Sequence, residues 1–410
     1  MASTPRLFRP DSLIPLAGVD PDSSYDDLAI LSSVTKTAKI VALGEPTHGQ
    51  REINQLRDKI TRYLIEHMGF RVVAMEDSAI QCRIVNDFVV HGNGTAMEAL
   101  ASQNFWTWKT REVLAMIEWL RSWNIQHPDD PVEFIGIDIQ DFSAPALKLL
   151  GLFSKIGAGH DAVTVRILEQ ISRLQMWDPS PFDEREFQTF LSTIQEIQKM
   201  ILSSTALSSD NLDLAKDCAR SLTESFNMLL ALANSPSHES AERWNSRDEV
   251  MARRTSAPVN RARKVILWAH NGHIQSEKPG GIPHGAKSMG QRLRETWGDR
   301  YVVISGIFGS GAYLARNPSD GTFGTRDVGE PPVGSIDHVL WSSSNSPSLL
   351  VDISVPEGPL SESQTTRWAG AALVSSDEMV ANVRPAVGSN MLAFVRDATP
   401  SVRIENLQKH

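Results

Sequence analysis

Short apolar runs recur along the chain: Lys39–Leu43, Arg71–Met75, Val132–Ile137, Lys264–Ala269 and Tyr301–Ile307, with later ones at Ser348–Ile353 and Asn390–Val395. They are rich in Val and Ile and continuous rather than alternating, the pattern of strands buried on both faces. Between the first two, Ile53, Leu56, Ile60, Leu64 and Ile65 fall at helical spacing. Val113, Met116, Ile117 and Leu120 do so between the second and third. Strand and helix in alternation predict an α/β fold, a mostly parallel central sheet flanked by helices.

The texture changes at about residue 143. From there to 262 the spacing predicts only helices, roughly 161–176, 184–203, 211–233 and 246–255, with breaks near Pro179-Ser180-Pro181 and Pro236. This divides the chain into an N-terminal part of the core (1–142), a helical insertion (143–262) and a C-terminal part of the core (263–410). An insertion beside strand ends suits a lobe over an active-site cleft. A scaffolding bundle fits the same pattern. The Gly/Pro-rich stretch from Ile307 to about 334 reads as a long loop.

Composition narrows the partners. Hydrophobic residues make up 41% and charged residues 22%, enough apolar sequence for a sizeable core. The net charge of −9 argues against nucleic acid or an anionic membrane. No apolar run reaches the length of a membrane span, and the first ten residues lack the apolar core of a secretion signal. Cys82 and Cys218 stand far apart and suggest buried thiols rather than a disulfide framework. A cytoplasmic protein acting on a small molecule is the expectation, with the oligomeric state open.

The ends of the runs carry the candidate chemistry. The first ends in Gly44-Glu45, with Thr47 and His48 just beyond; the second in Glu76-Asp77; the third in Asp138; the fourth in His270-Asn271-Gly272-His273. Parallel sheets bind ligands outside the carboxyl ends of their strands, so these acids and histidines share one edge. Singly, each has a plainer reading. Glu45 suits a strand exit, His48 a helix cap, Glu76, Asp77 and Asp138 helix N-termini, Arg51 and Arg57 a solvated face, and one of His270 and His273 a partner for backbone groups. Together they suit acid–base catalysis. Carboxylates fix a histidine's tautomer and raise its basicity, a histidine titrating near neutrality takes a proton from water, and cations stabilise an oxyanion.

Other motifs fail in context. Ala286-Lys287-Ser288-Met289-Gly290 lacks the strand that a nucleophile elbow needs. Gly306, Gly309 and Gly311 do not match the dinucleotide fingerprint. His270 and His273 with distant acids are compatible with a divalent metal, but the helical H-E-x-x-H arrangement is missing, so no cofactor is expected.

The segment Val41–Gly49, followed by Glu52 and Arg57, resembles the signature of the erythromycin esterase family. Gly69–Glu76 resembles a second block, and Phe105-Trp106-Thr107-Trp108 with Glu112-Val113, Glu118–Arg121 and Asn124 a third. Ile135–Asp138, Arg247-Asp248 with Met251-Ala252, Trp268–His273 and Ser288-Met289-Gly290 follow in order. The likeness spans about residues 38 to 310. It implies a parallel-sheet core with a helical lobe across a deep cleft, and hydrolysis of a macrolide lactone. By that resemblance His48 is the base that activates water, and Glu45 and Glu76 position it. Arg57, His270 and His273 bind or polarise the carbonyl, and Arg247, Trp106, Trp108 and Asp138 contact the substrate. The C-terminal third departs from the pattern. Leu350–Ser354 lacks the family's following Arg, and Asn390–Ala393 replaces its Asp-Ala pair. Three functions remain in play: a carboxylic ester hydrolase, a natural-product biosynthetic enzyme (lactonisation, cyclisation, epimerisation or ester transfer) with the same site, and a non-catalytic metal- or haem-binding module.

Overall fold

A computed structural model describes residues 8, 10–157, 161–174, 184–234, 241–277, 284–317, 319–353, 358–370 and 380–404. The breaks expected at Pro179–Pro181 and Pro236, and the end of the helix expected to reach 176, lie outside these residues.

The strands are β1 (Leu13–Pro15), β2 (Ile40–Glu45), β3 (Val72–Ser78), β4 (Glu133–Asp138), β5 (Val265–His270), β6 (Tyr301–Arg316), β7 (Phe323–Asp327), β8 (Ser348–Asp352), β9 (Gln364–Arg367), β10 (Val380–Val383) and β11 (Met391–Ala398). The main sheet has nine strands in the order β1-β8-β11-β6-β2-β5-β3-β4, with β7 paired to β6. From β11 to β4 every pairing is parallel, while β8, β1 and β7 add antiparallel neighbours. β9 and β10 form a separate two-stranded ribbon.

The central strands are buried throughout, and their side chains divide by parity. Val41, Leu43, Val73, Met75, Ile266 and Trp268 pack under helices Arg51–Met68 and Arg111–Gln126. Ile40, Ala42, Val72, Ala74, Val265 and Leu267 face Met251, Met289 and Leu293 on the other side. Burial on both faces explains the continuous apolar runs. Helices Ser143–Lys155, Ala162–Ser172, Glu184–Leu202, Ser209–Asn234 and Ala241–Asn260 lie between β4 and β5. Leu149, Phe153, Leu168, Phe187, Ile194, Leu222 and Phe226 give them a hydrophobic core of their own.

Two elements differ from expectation. Ser143–Lys155 is a helix outside the four expected in the insertion. Pro145 sits in the first turn, where its missing N–H is not needed. The stretch after Ile307 is a hairpin rather than a long loop, since β6 continues to Arg316 and pairs with β7. Gly309 and Gly311, which suggested a loop, are sites of close approach. Gly311 has φ 105°, and a Cβ there would lie 2.0 Å from the Ala398 carbonyl oxygen on β11.

Ser288 caps helix Met289–Trp297. Cys82 and Cys218 are free and buried. Among the described residues no helix is long and apolar enough to cross a membrane.

Candidate active site

β2 ends in a buried Glu45. The Pro46–Gln50 turn then carries His48 over the strand end before helix Arg51–Met68 begins. His48 Nδ1 lies 2.8 Å from Glu45 Oε1. Arg57, two turns into the helix, donates from Nη1 to Glu45 Oε2 at 2.7 Å. Burial alone would raise the Glu45 pKa, but the Arg57 guanidinium and the His48 ring outweigh it and hold the carboxyl below its usual range. An ionised Glu45 only accepts, so His48 Nδ1 donates, and in the neutral ring the lone pair falls on Nε2. Among the described residues nothing hydrogen-bonds Nε2. The His48 side chain is 14% exposed while Glu45 is fully buried. This is the geometry of an oriented base with one open nitrogen.

Arg57 itself lies beneath the site. Its side chain is 3% exposed, and its guanidinium carbon is 4.2 Å from the Trp268 ring centre and 5.7 Å from that of Trp108. Its Nε and Nη2 have no hydrogen-bond acceptor. In this arrangement it fixes Glu45 from below.

A second cluster stands on β3, β4 and β5. Glu76 and Asp77 lie within β3, which runs to Ser78, rather than capping a helix. Arg247, on the insertion helix Ala241–Asn260, donates from Nη2 to Glu76 Oε1 and to Asp138 Oδ2, both at 2.7 Å, and from Nε to Asp138 Oδ1 at 3.0 Å. Burial opposes ionisation of both acids, yet His273 and Arg247 beside Glu76, and Arg247 beside Asp138, hold them ionised and below the usual range. The other Glu76 oxygen accepts the His270 backbone N–H at 2.8 Å.

His273 Nδ1 faces Asp248 at 2.9 Å, and Arg247 Nη1 approaches His273 Nε2 at 2.8 Å. Arginine has only N–H to offer, so Nε2 accepts and the ring proton faces Asp248. Burial lowers the His273 pKa, but Asp248 and Glu76 outweigh it and the net direction is up.

His270 belongs to neither cluster. Its Nδ1 accepts from Gly272 N at 3.1 Å, which places the proton on Nε2, directed at the carbonyls of Pro46 (3.2 Å) and Ala369 (3.3 Å). Burial and the nearby His48 push its pKa down to about 4. With both nitrogens occupied by backbone, the ring has none left for a substrate carbonyl; it is the histidine that satisfies backbone groups. Trp108 is likewise structural. It is 1% exposed and donates from Nε1 to the Glu76 carbonyl at 2.9 Å. Trp106 is half-buried and packs edge-on against Phe323 at 5.0 Å.

The structure adds residues that the sequence did not single out. Trp244 tilts against the His273 ring at 5.3 Å. The segment Trp368–Gly370 crosses over His270 and the Pro46–Thr47 turn, with Ala369 N bonded to Pro46 O at 2.9 Å and Thr47 Oγ1 to Gly370 O at 3.0 Å. Nothing local signals Trp368, because its partners lie about a hundred residues or more away in the chain. A cavity of about 320 Å³ lies apart, between β4 and helix Ala241–Asn260, lined by Ile80, Arg83, Phe134, Gly136, Arg254 and Arg261 among others. It holds none of the strand-end groups. Among the described residues no group of three or more His, Cys, Asp or Glu is arranged to hold a metal ion.

An α/β sheet with a tautomer-locked histidine and paired carboxylates at its carboxyl edge has the layout of an acid–base enzyme. The erythromycin esterase family pattern matches residues 65–387, and the chain belongs to that family. The match begins after the His48 turn and runs well into the C-terminal third. The chain is 24% identical to the erythromycin esterase type II of Escherichia coli over 376 residues, covering 85% of this chain and 88% of that one. Two solved structures share the fold. A succinoglycan biosynthesis protein aligns with TM-score 0.80 at 20% identity, covering 96% of each chain. A mutant erythromycin esterase in its open conformation aligns with TM-score 0.70 at 17% identity, covering 95% of this chain and 98% of that one.

Proposed function

We propose that the protein hydrolyses the lactone or ester bond of a macrolide or related natural product by a water that His48 activates. The observation that carries this reading is the open Nε2 of a histidine whose other nitrogen is held by a buried, ionised Glu45. Nε2 takes a proton from water as its oxygen bonds to the ester carbonyl carbon. The tetrahedral intermediate then expels the alcohol oxygen, which receives that proton, and the carboxylic acid left behind releases its own proton to solvent as a carboxylate. No residue is acylated. The developing oxyanion is met by Arg247, whose side chain is 14% exposed. The base is supplied by His48 itself, so the reading needs no metal.

His48→Ala should lower ester turnover at least about 100-fold, the usual scale for losing a general base, with an unchanged circular dichroism spectrum. Retained turnover would sink the assignment.

A second reading keeps the site and changes the net reaction. It is favoured by the likeness to a protein of succinoglycan biosynthesis, which is stronger than that to the solved esterase. Lactonisation, cyclisation, epimerisation or ester transfer needs a placed base and paired carboxylates too. Reaction in ¹⁸O-labelled water separates the two: label in a product carboxylate means hydrolysis, and an unlabelled product means the rival.

A further inference from the structure

We infer that Trp368 is the specificity-determining wall of the His48 site, taking the apolar group next to the scissile carbonyl; this rests on the ester-hydrolase reading and deepens it.

Four rings stand in a row across the strand ends. Trp108 meets His48 edge-on at 5.9 Å, His48 meets His270 at 5.2 Å, and His270 meets Trp368 edge-on at 4.9 Å. The two tryptophans flank the histidine pair but differ in exposure. Trp108 is sealed in the core, whereas Trp368 is half-buried although its neighbours Ala369 and His270 are buried. Trp368 therefore keeps some exposed surface next to His270, whose ring adjoins the base.

The indole is also held in place. Gly272 lies against it so closely that a Cβ there would sit 2.6 Å from Trp368 Cζ2. On one side, Ala369 and Gly370 are bonded to Pro46, Thr47 and His270. On the other, Arg367 N donates to Asp337 at 3.0 Å, and the Arg367 guanidinium donates to the carbonyls of Gly309, Val328 and Glu330. A rigid half-exposed indole suits a C–H-rich partner, an alkyl chain or alicyclic ring, because it presents a broad apolar surface with little conformational freedom to lose. Because the same segment ties down the turn that carries His48, the wall and the base share one frame.

The test compares p-nitrophenyl octanoate with p-nitrophenyl acetate. Trp368→Ala should lower the octanoate-to-acetate ratio of kcat/KM about tenfold or more, the loss falling mainly on KM for octanoate, as removal of binding common to ground and transition states requires. Trp368→Phe, which keeps a ring and the fold, should recover most of the ratio. An unchanged ratio, or one lowered equally by both substitutions, overturns the wall. If the wild type cleaves neither aryl ester, saturation-transfer NMR with sodium octanoate decides the wall independently of turnover. Transfer to the octanoate methylenes is expected in the wild type and in His48→Ala, and at least about threefold weaker in Trp368→Ala, since the indole supplies much of the contact surface. Equal transfer in Trp368→Ala, or none in the wild type, overturns it.

Discussion

Two ionic clusters sit at the same sheet edge, built from the same residue types, and they end in opposite states. Around His48, one arginine and one carboxylate lie beneath a histidine and leave its outer nitrogen open. Around His273, Arg247 reaches two carboxylates and the histidine at once, and Asp248 takes the other ring nitrogen. The first cluster orients a base. The second is a closed network that ties the insertion helix to β3 and β4 while keeping one cationic edge partly exposed. Histidine near carboxylate is thus not a role in itself; what decides the role is which nitrogen is left without a partner.

The largest expected effect tests the open cluster. In Glu45→Gln, Arg57 Nη1 still demands an oxygen, so the amide oxygen turns to Arg57 and the amide N–H faces His48. Nδ1 must then accept, and the proton moves to Nε2, where the base is needed. Turnover should fall about 10²–10⁴-fold, the range spanned by general-base catalysis, with ¹⁵N-histidine NMR showing the exchanged tautomer. Normal turnover with the exchanged tautomer would break the contrast between the clusters.

The closed cluster should fail in stability rather than in proton transfer. Arg247→Met leaves Asp138 buried without its cation and Glu76 with only His273 and the His270 N–H, at a cost of about 3–5 kcal/mol for breaking a buried ion pair. Both acids have depressed folded pKa values, so the stability they contribute is present above the ordinary carboxylate range and lost as pH falls through the folded values. The gap between wild type and variant in urea unfolding should be full at pH 7 and shrink below about pH 4, where unfolded carboxylates take up protons. A gap independent of pH would assign the loss to packing.

The open cluster was more legible than the closed one, for a physical reason. Strands buried on both faces must end where polar residues begin, so Glu45, Glu76, Asp138 and His270 could be placed at one edge from the apolar runs alone. Glu45, His48 and Arg57 then fall on one strand–turn–helix unit, within local reach. The His273 network draws on β3, β4, β5 and the insertion, and Asp248 entered only as part of a family block. Which histidine satisfies backbone groups was open in the sequence. It is His270, because the partners that settle the matter, Pro46 and Ala369, are distant in the chain. The β6–β7 hairpin and Trp368 were missed alike: glycines at close approaches look like loop residues, and contacts across a hundred residues leave no periodicity.

The smallest expected effect concerns Asp77, directly behind the closed cluster. It is buried, accepts Ser78 N at 2.7 Å and Asn104 N at 3.1 Å, and so pins the segment leading to Trp106 and Trp108. Burial pushes its pKa up to about 8, with Asp138 and Asp141 adding to the rise and the two backbone N–H groups opposing it. An acid raised on folding binds its proton in the native state while the unfolded chain has released it. Stability is therefore fullest below the unfolded value near 4 and declines as pH rises toward 8. In Asp77→Asn one oxygen remains to accept both N–H groups, and the titration is gone. The wild type should lose stability relative to this variant by up to about 1.4 kcal/mol per pH unit between pH 5 and pH 8, the slope of one proton's difference. Parallel unfolding curves across that interval would mean that Asp77 stays ionised in the folded protein, with the two backbone donors outweighing burial.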